Sequence, residues 1–131
     1  MIINKPIDIE EEIRLALKDY FTAYVRPLPK SYTLPNVLIT STGGSTGNTI
    51  DTFTVVIDAR ADNDAEAYDT ISTAIGVLEA QAQAQTGALR HVETNSLARW
   101  GNDPARPDLK LCTATVLVTV HRERVDINNN S

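Results

Sequence analysis

Few side chains in this sequence could carry covalent or metal chemistry. His91, His121 and Cys112 are the only soft metal ligands, and the only set that could pair a thiol nucleophile with an imidazole base. They lie at no spacing that a local metal or catalytic motif uses. Cys112 alternates with Ala114 and Val116, which reads as a small buried hydrophobe in a strand. One cysteine also excludes an intramolecular disulfide and any multi-cysteine metal site. Asp62, Asp64 and Glu66 alternate like the first ligands of a calcium loop, but the sixth position, where that loop needs glycine, is Ala67. The three carboxylates instead suit the positive end of a following helix, as Glu10, Glu11 and Glu12 suit the start of an earlier one. The run Gly43-Gly44-Ser45-Thr46-Gly47-Asn48 lacks the lysine of a phosphate-binding loop and leads into a strand. It also lacks the basic flanks of a nucleic-acid GxxG loop. With no nucleophile elbow and no HExxH pattern, the sequence reads as a non-enzymatic chain that uses no metal and no cofactor.

One further feature is Trp100, in the polar run Arg99-Trp100-Gly101-Asn102-Asp103-Pro104-Ala105-Arg106-Pro107. A tryptophan beside arginines in such a segment is either a lid over the edge of the core or an interface anchor. Arg99, Trp100, Asp103 and Arg106, with the tip Gly43 to Asn48, are the candidate interface residues.

The elements that position these residues follow from periodicity. Ile9, Ile13, Ala16, Leu17, Tyr20, Phe21 and Tyr24 recur at spacings of three and four, which predicts a helix over 8–25, capped by Asp8 with Glu11 as capping-box partner and stopped by Pro27 and Pro29. Val37–Thr40 reads as a short strand and Thr49–Arg60 as an alternating one, with Asp51, Phe53, Val55, Ile57 and Ala59 on one face. The glycine-rich residues 41–48 between them read as a mobile loop, making a hairpin with a long flexible tip. Asn63 with Glu66 starts a second helix over 64–85, with Tyr68, Ile71, Ala74, Ile75, Leu78 and Ala82 on one face and Gly87 as its cap. Leu89–Leu97 is a weaker strand, 98–110 a loop, and Leu111–Arg122 a strong strand rich in valine and threonine.

These elements predict an α+β fold of order αββαββ, two helices on one face of a mainly antiparallel sheet of about four strands. The ordered core is expected over about 7–125 of a single domain, with a frayed tail at 126–131. In the last strand Cys112, Ala114, Val116, Val118 and Val120 face one way and Leu111, Thr113, Thr115, Leu117, Thr119 and His121 the other. Both faces are half apolar and poor in charge. Two helices cover one of them; the other is either a solvated threonine face or a surface covered by another copy.

At 131 residues the chain fits one modest core. Seventeen acidic residues against twelve basic leave a net charge of −5, which disfavours affinity for nucleic-acid phosphates. Apolar runs fall far short of the ~20 residues that cross a bilayer. Met1 to Pro6 has no secretory pattern, so folding in a cytoplasm is expected.

Ile57-Asp58-Ala59-Arg60 leading into Asp64-Ala65-Glu66-Ala67-Tyr68, together with Arg99-Trp100 to Asp103-Pro104 and Thr115 to His121, resembles the tail terminator and tail-completion family of long-tailed bacteriophages. The resemblance follows the chain in order and length rather than through invariant residues. It implies a hexameric ring at the head-proximal end of the tail, assembled in the host cytoplasm, that caps the tail tube, stops its polymerisation and presents the surface that joins the head. Its partners would be further copies of itself, the tail tube protein and a neck or head-completion protein. DNA would pass through the lumen without specific binding, and no membrane is involved. A neck connector and a small dimeric ligand-binding module are the alternative readings.

Overall fold

The computed structural model describes residues 1–129. Its first helix begins as expected: the Asp8 carboxylate accepts from the Glu11 amide at 3.2 Å, and α1 (Ile9–Leu17) buries Ile9, Ile13 and Leu17. The Glu11 side chain does not close a capping box; it pairs with Arg14 at 2.6 Å. The helix ends well before residue 25, where the amides of Tyr20 and Phe21 both turn back to the Leu17 carbonyl. Thr22–Val25 then forms β2, parallel to Asn36–Ile39. Thr22, Tyr24 and Val25 are strand formers, and the open edge of the neighbouring strand offers their backbone hydrogen bonds. Helical spacing of Tyr20, Phe21 and Tyr24 was therefore misleading.

β3 (Asn36–Thr46) and β4 (Ile50–Ala61) form a long antiparallel hairpin. The mobile loop expected over 41–48 is instead mostly strand, and the turn is tight, closed by the Gly47 amide on the Ile50 carbonyl at 2.9 Å. Glycine serves close packing here. A Cβ on Gly44 would overlap the Thr52 carbonyl oxygen and stand 2.8 Å from the Phe53 Cα, and Gly43 sits at a bulge with φ of +113°, a conformation that costs a glycine little.

α2 (Asp64–Ala84) starts at Asn63, whose side-chain oxygen accepts from the Glu66 amide at 2.8 Å. It ends at Gln85 in the left-handed region, with φ of 54°, rather than at Gly87. β5 (Leu89–Asn102) and β6 (Lys110–His121) follow, so the loop predicted over 98–110 shrinks to 103–109. β5 keeps its pairing with β6 by three register shifts, at Leu89/His91, Thr94/Ser96 and Arg99/Gly101.

The ends of the chain hold each other. β1 (Ile2–Lys5) pairs antiparallel with β7 (Glu123–Asp126), and Ile127–Asn129 makes a 3-10 turn. The tail expected to fray from 126 thus begins inside a strand and a turn; Asn130 and Ser131 lie outside the described residues.

The expected fold of two helices on four strands is corrected accordingly. Among the described residues strand outweighs helix, 48% against 25%, and seven strands form two sheets: the β1–β7 ribbon and a five-stranded sheet of order β2-β3-β4-β6-β5, antiparallel except at β2–β3. The short terminal strands and β2 carry too few residues to show a period, which is why the sequence pattern missed them. On one face of the large sheet, α2 lays Ala67, Ile71, Ala74, Leu78 and Ala82 against Val55, Ile57, Ala114, Val116 and Val118. Each fully buried leucine, isoleucine or valine contributes roughly 1.5–3 kcal/mol, and the alanines let the helix lie close. α1 completes this layer, tied to α2 where Gln81 Nε2 donates to the Ala16 carbonyl at 2.9 Å.

Candidate docking surface

The alternation predicted for β4 and β6 holds: Asp51, Val55, Ile57 and Ala59, with Cys112, Ala114, Val116, Val118 and Val120, face the helices and are buried. Their neighbours point the other way, and both helices are already spent on the first face. The outer face therefore presents Thr52, Thr54, Val56, Thr113, Thr115, Leu117 and Thr119 in cross-strand register, all half-buried. Hydroxyls there satisfy one another: Thr52 and Thr119 meet at 3.3 Å, and Thr113 donates to the Asp58 carboxylate at 2.7 Å. Methyl groups and short hydroxyls on a pleated surface suit packing against another protein surface.

One end of that face is closed by the 103–109 loop. Arg60 Nε donates to the Asp103 carboxylate at 2.8 Å, the Asp103 amide donates to the Leu109 carbonyl at 2.7 Å, and Leu109 and Leu111 are buried beneath. Asp103 also accepts from the Ala105 amide at 3.0 Å and is itself buried. It builds the loop rather than facing a partner. Arg106 is exposed and paired with Asp108 at 2.9 Å. Their hydrogen bond lowers the Asp108 carboxyl below its usual range and raises the Arg106 guanidinium.

Arg99 and Trp100 are in β5, not in a loop. The Arg99 guanidinium stacks 3.8 Å from the centre of the Tyr68 ring, clamping the start of α2 to the sheet edge. Trp100 is the extra residue of the bulge between Arg99 and Gly101 and is 62% exposed, so it lies open at the edge strand rather than as a lid over the core. Gly43, Gly44, Ser45, Thr46, Gly47 and Asn48 lie at the opposite end, because Ile50 pairs with His121 whereas Arg60 pairs with Leu111. The length of β4, roughly 35 Å at ~3.3 Å per residue, separates the two groups of candidates. They form two surfaces, not one site. Beyond Ile39 no described strand pairs with the outer side of β3; the Ser41 amide there donates to Glu10 Oε2 at 2.9 Å, which also accepts from Arg26.

Cys112 lies on the helix-covered face, and burial pushes its thiol upward. Among the described residues no three of His, Cys, Asp and Glu stand close enough to hold a metal ion. The sequence reading missed an ion pair. Asp51 is fully buried and accepts from Arg122 Nε at 3.0 and 3.2 Å and from Nη2 at 3.1 Å. A carboxylate in phase with Val55 and Ile57 was the available signal, but nothing local named the partner 71 residues away.

No known protein-family model matches the chain, and neither does any curated protein. No helix among the described residues is long and apolar enough to cross a membrane.

Proposed function

We propose that this chain is a structural protein of a long-tailed phage, a tail terminator that works as a ring of identical copies, six in number. The ring caps the tail tube, stops its growth and offers the surface to which the head is joined; DNA passes through its lumen. The observation that carries the reading is the outer face of the five-stranded sheet, covered by neither helix and built mainly from threonine, valine and leucine, its charged Asp58 and Arg60 held by Thr113 and Asp103. A surface of that kind suits a protein partner better than a small ion or a phosphate backbone. The exposed Trp100 on the edge strand adds an anchor of the type enriched at binding hot spots. The phage assignment rests on the resemblance of residues 57–60, 64–68, 99–104 and 115–121 to that family.

Light scattering coupled to size exclusion over a concentration series, with and without purified tail tubes, tests it. A ring of about six copies, formed alone or on meeting tubes, supports the terminator. A dimer that stays a dimer when tubes are added refutes it. A ring that binds the head connector but leaves tube length unregulated moves the assignment to a neck protein.

A further inference from the structure

We infer that neighbouring copies in the ring are joined by the terminal ribbon of one copy, β1 with β7, seated in the groove along the C-terminal half of α2, rimmed by Tyr20, of the next. The inference rests on the ring reading above.

Among the described residues the ribbon is a two-stranded sheet with no strand pairing to the main sheet, a unit that is marginal in water unless something packs on it. Its attachment is narrow: a single residue, Arg122, separates β6 from β7, and that residue is pinned by Asp51 and by its own amide on the Thr49 carbonyl at 2.8 Å. Large apolar side chains are exposed on it, namely Met1, Ile2 and, just past β7, Ile127. Two more exposed large hydrophobics lie across the molecule's helical layer, Leu15 on α1 and Tyr20 in the turn that follows it.

Tyr20, 60% exposed, stands at the rim of a groove of about 410 Å³ floored by Gly76, Val77, Ala80 and Ala84 of α2. No charged side chain lines it. Glycine and alanine at its floor let another backbone approach, and its apolar walls match Met1, Ile2 and Ile127.

Charge selects the same pairing. α2 has Asp64, Glu66, Asp69 and Glu79 and not one lysine or arginine, with Glu79 beside the groove, while Arg14, Lys18 and Asp19 line the hollow on the other side of Tyr20. The ribbon carries Lys5 and Arg124 against Glu123, while Asp126 lies 3.2 Å from the amino terminus. A slightly positive apolar ribbon therefore meets an acidic helix with an apolar groove. Ribbon and groove are different patches on one chain, so each copy can engage one neighbour with its ribbon and another with its groove, the head-to-tail contact that a ring needs.

The test pairs Ile2→Cys with Ala80→Cys, both at exposed positions, in the full chain whose own Cys112 is buried. Oxidation of the assembled double variant is expected to give a ladder of covalent species ending at the ring number, with each single variant stopping at a dimer or below. Ala80→Trp, which fills the groove from an exposed position, is expected to raise the concentration needed for assembly at least tenfold while leaving the melting temperature unchanged. A ring of normal native mass that gives no ladder, or an Ala80→Trp chain that assembles at the wild-type concentration, overturns the contact and leaves the ring standing. A chain that stays monomeric even with tail tubes removes the ring reading itself, and this contact with it.

Discussion

Replacing Asp51 with alanine is expected to cost the fold about 3–5 kcal/mol, the usual penalty for removing one partner of a buried ion pair. Asp51 is fully buried and the Arg122 side chain is 18% exposed. The substitution leaves a guanidinium that loses all three hydrogen bonds to the carboxylate and keeps only a long one, 3.5 Å, to the Asn4 carbonyl. For a domain of this size each kcal/mol lowers the melting temperature by roughly 3–5 °C, so a drop on the order of 10–20 °C is expected. Urea unfolding followed by two probes measures it, with the midpoint moving and the slope unchanged. Arg122→Met should cost at least as much, because it strands the more buried carboxylate. Combining Asp51→Leu with Arg122→Met should recover most of the loss, since an apolar pair has no desolvation to offset. A loss below about 1 kcal/mol for Asp51→Ala, or a double variant as unstable as the two singles summed, would refute the view that the pair is desolvated and mutually dependent.

Gly44→Ala should destabilise by about 1–3 kcal/mol in chemical denaturation, because the added methyl drives the hairpin strands apart at Thr52. Asn63→Ala removes the oxygen that accepts from the Glu66 amide and should cost about 1 kcal/mol by the same assay. Trp100→Ala should stay within about 0.5 kcal/mol of the parent in stability yet weaken assembly at least tenfold by native mass; unchanged assembly would remove Trp100 from the interface. Burial raises the Cys112 thiol, so the folded chain holds that proton to higher pH than the unfolded chain does. Its contribution is fully present below the ordinary thiol range and is lost as the pH rises from there through the raised value of the folded chain. Labelling by a thiol reagent should be slow in the native chain and quicken with added urea.

Individual elements were legible, though their number and arrangement were not. Asp8 and Asn63 marked both helix starts because a cap is a local bond between a side chain and an amide three residues on. The faces of β4 and β6 were legible because a strand with one buried face alternates residue by residue. Illegible were features whose cause lies elsewhere in the chain. Thr22–Val25 left the helical pattern because β3 offered an edge, and the glycines at 43 and 44 read as slack until the strand was seen to bulge at Gly43 and β4 to press against Gly44. Of the candidate interface residues, Trp100 and the hairpin tip remained at the surface. Asp103 was taken into the fold by Arg60, a partner 43 residues away.

By itself, then, the sequence determined what depends on neighbours along the chain: two capped helices, two strongly alternating strands, a single buried thiol and an acidic balance. Only the tertiary structure decided which polar residues pair across the sheet, that the ends of the chain meet as a ribbon, and that the hairpin tip and Trp100 occupy opposite ends of the sheet. The physical reason is that periodicity records which side of an element is buried, whereas register, edge pairing and long-range ion pairs are set by what the folded chain brings opposite it.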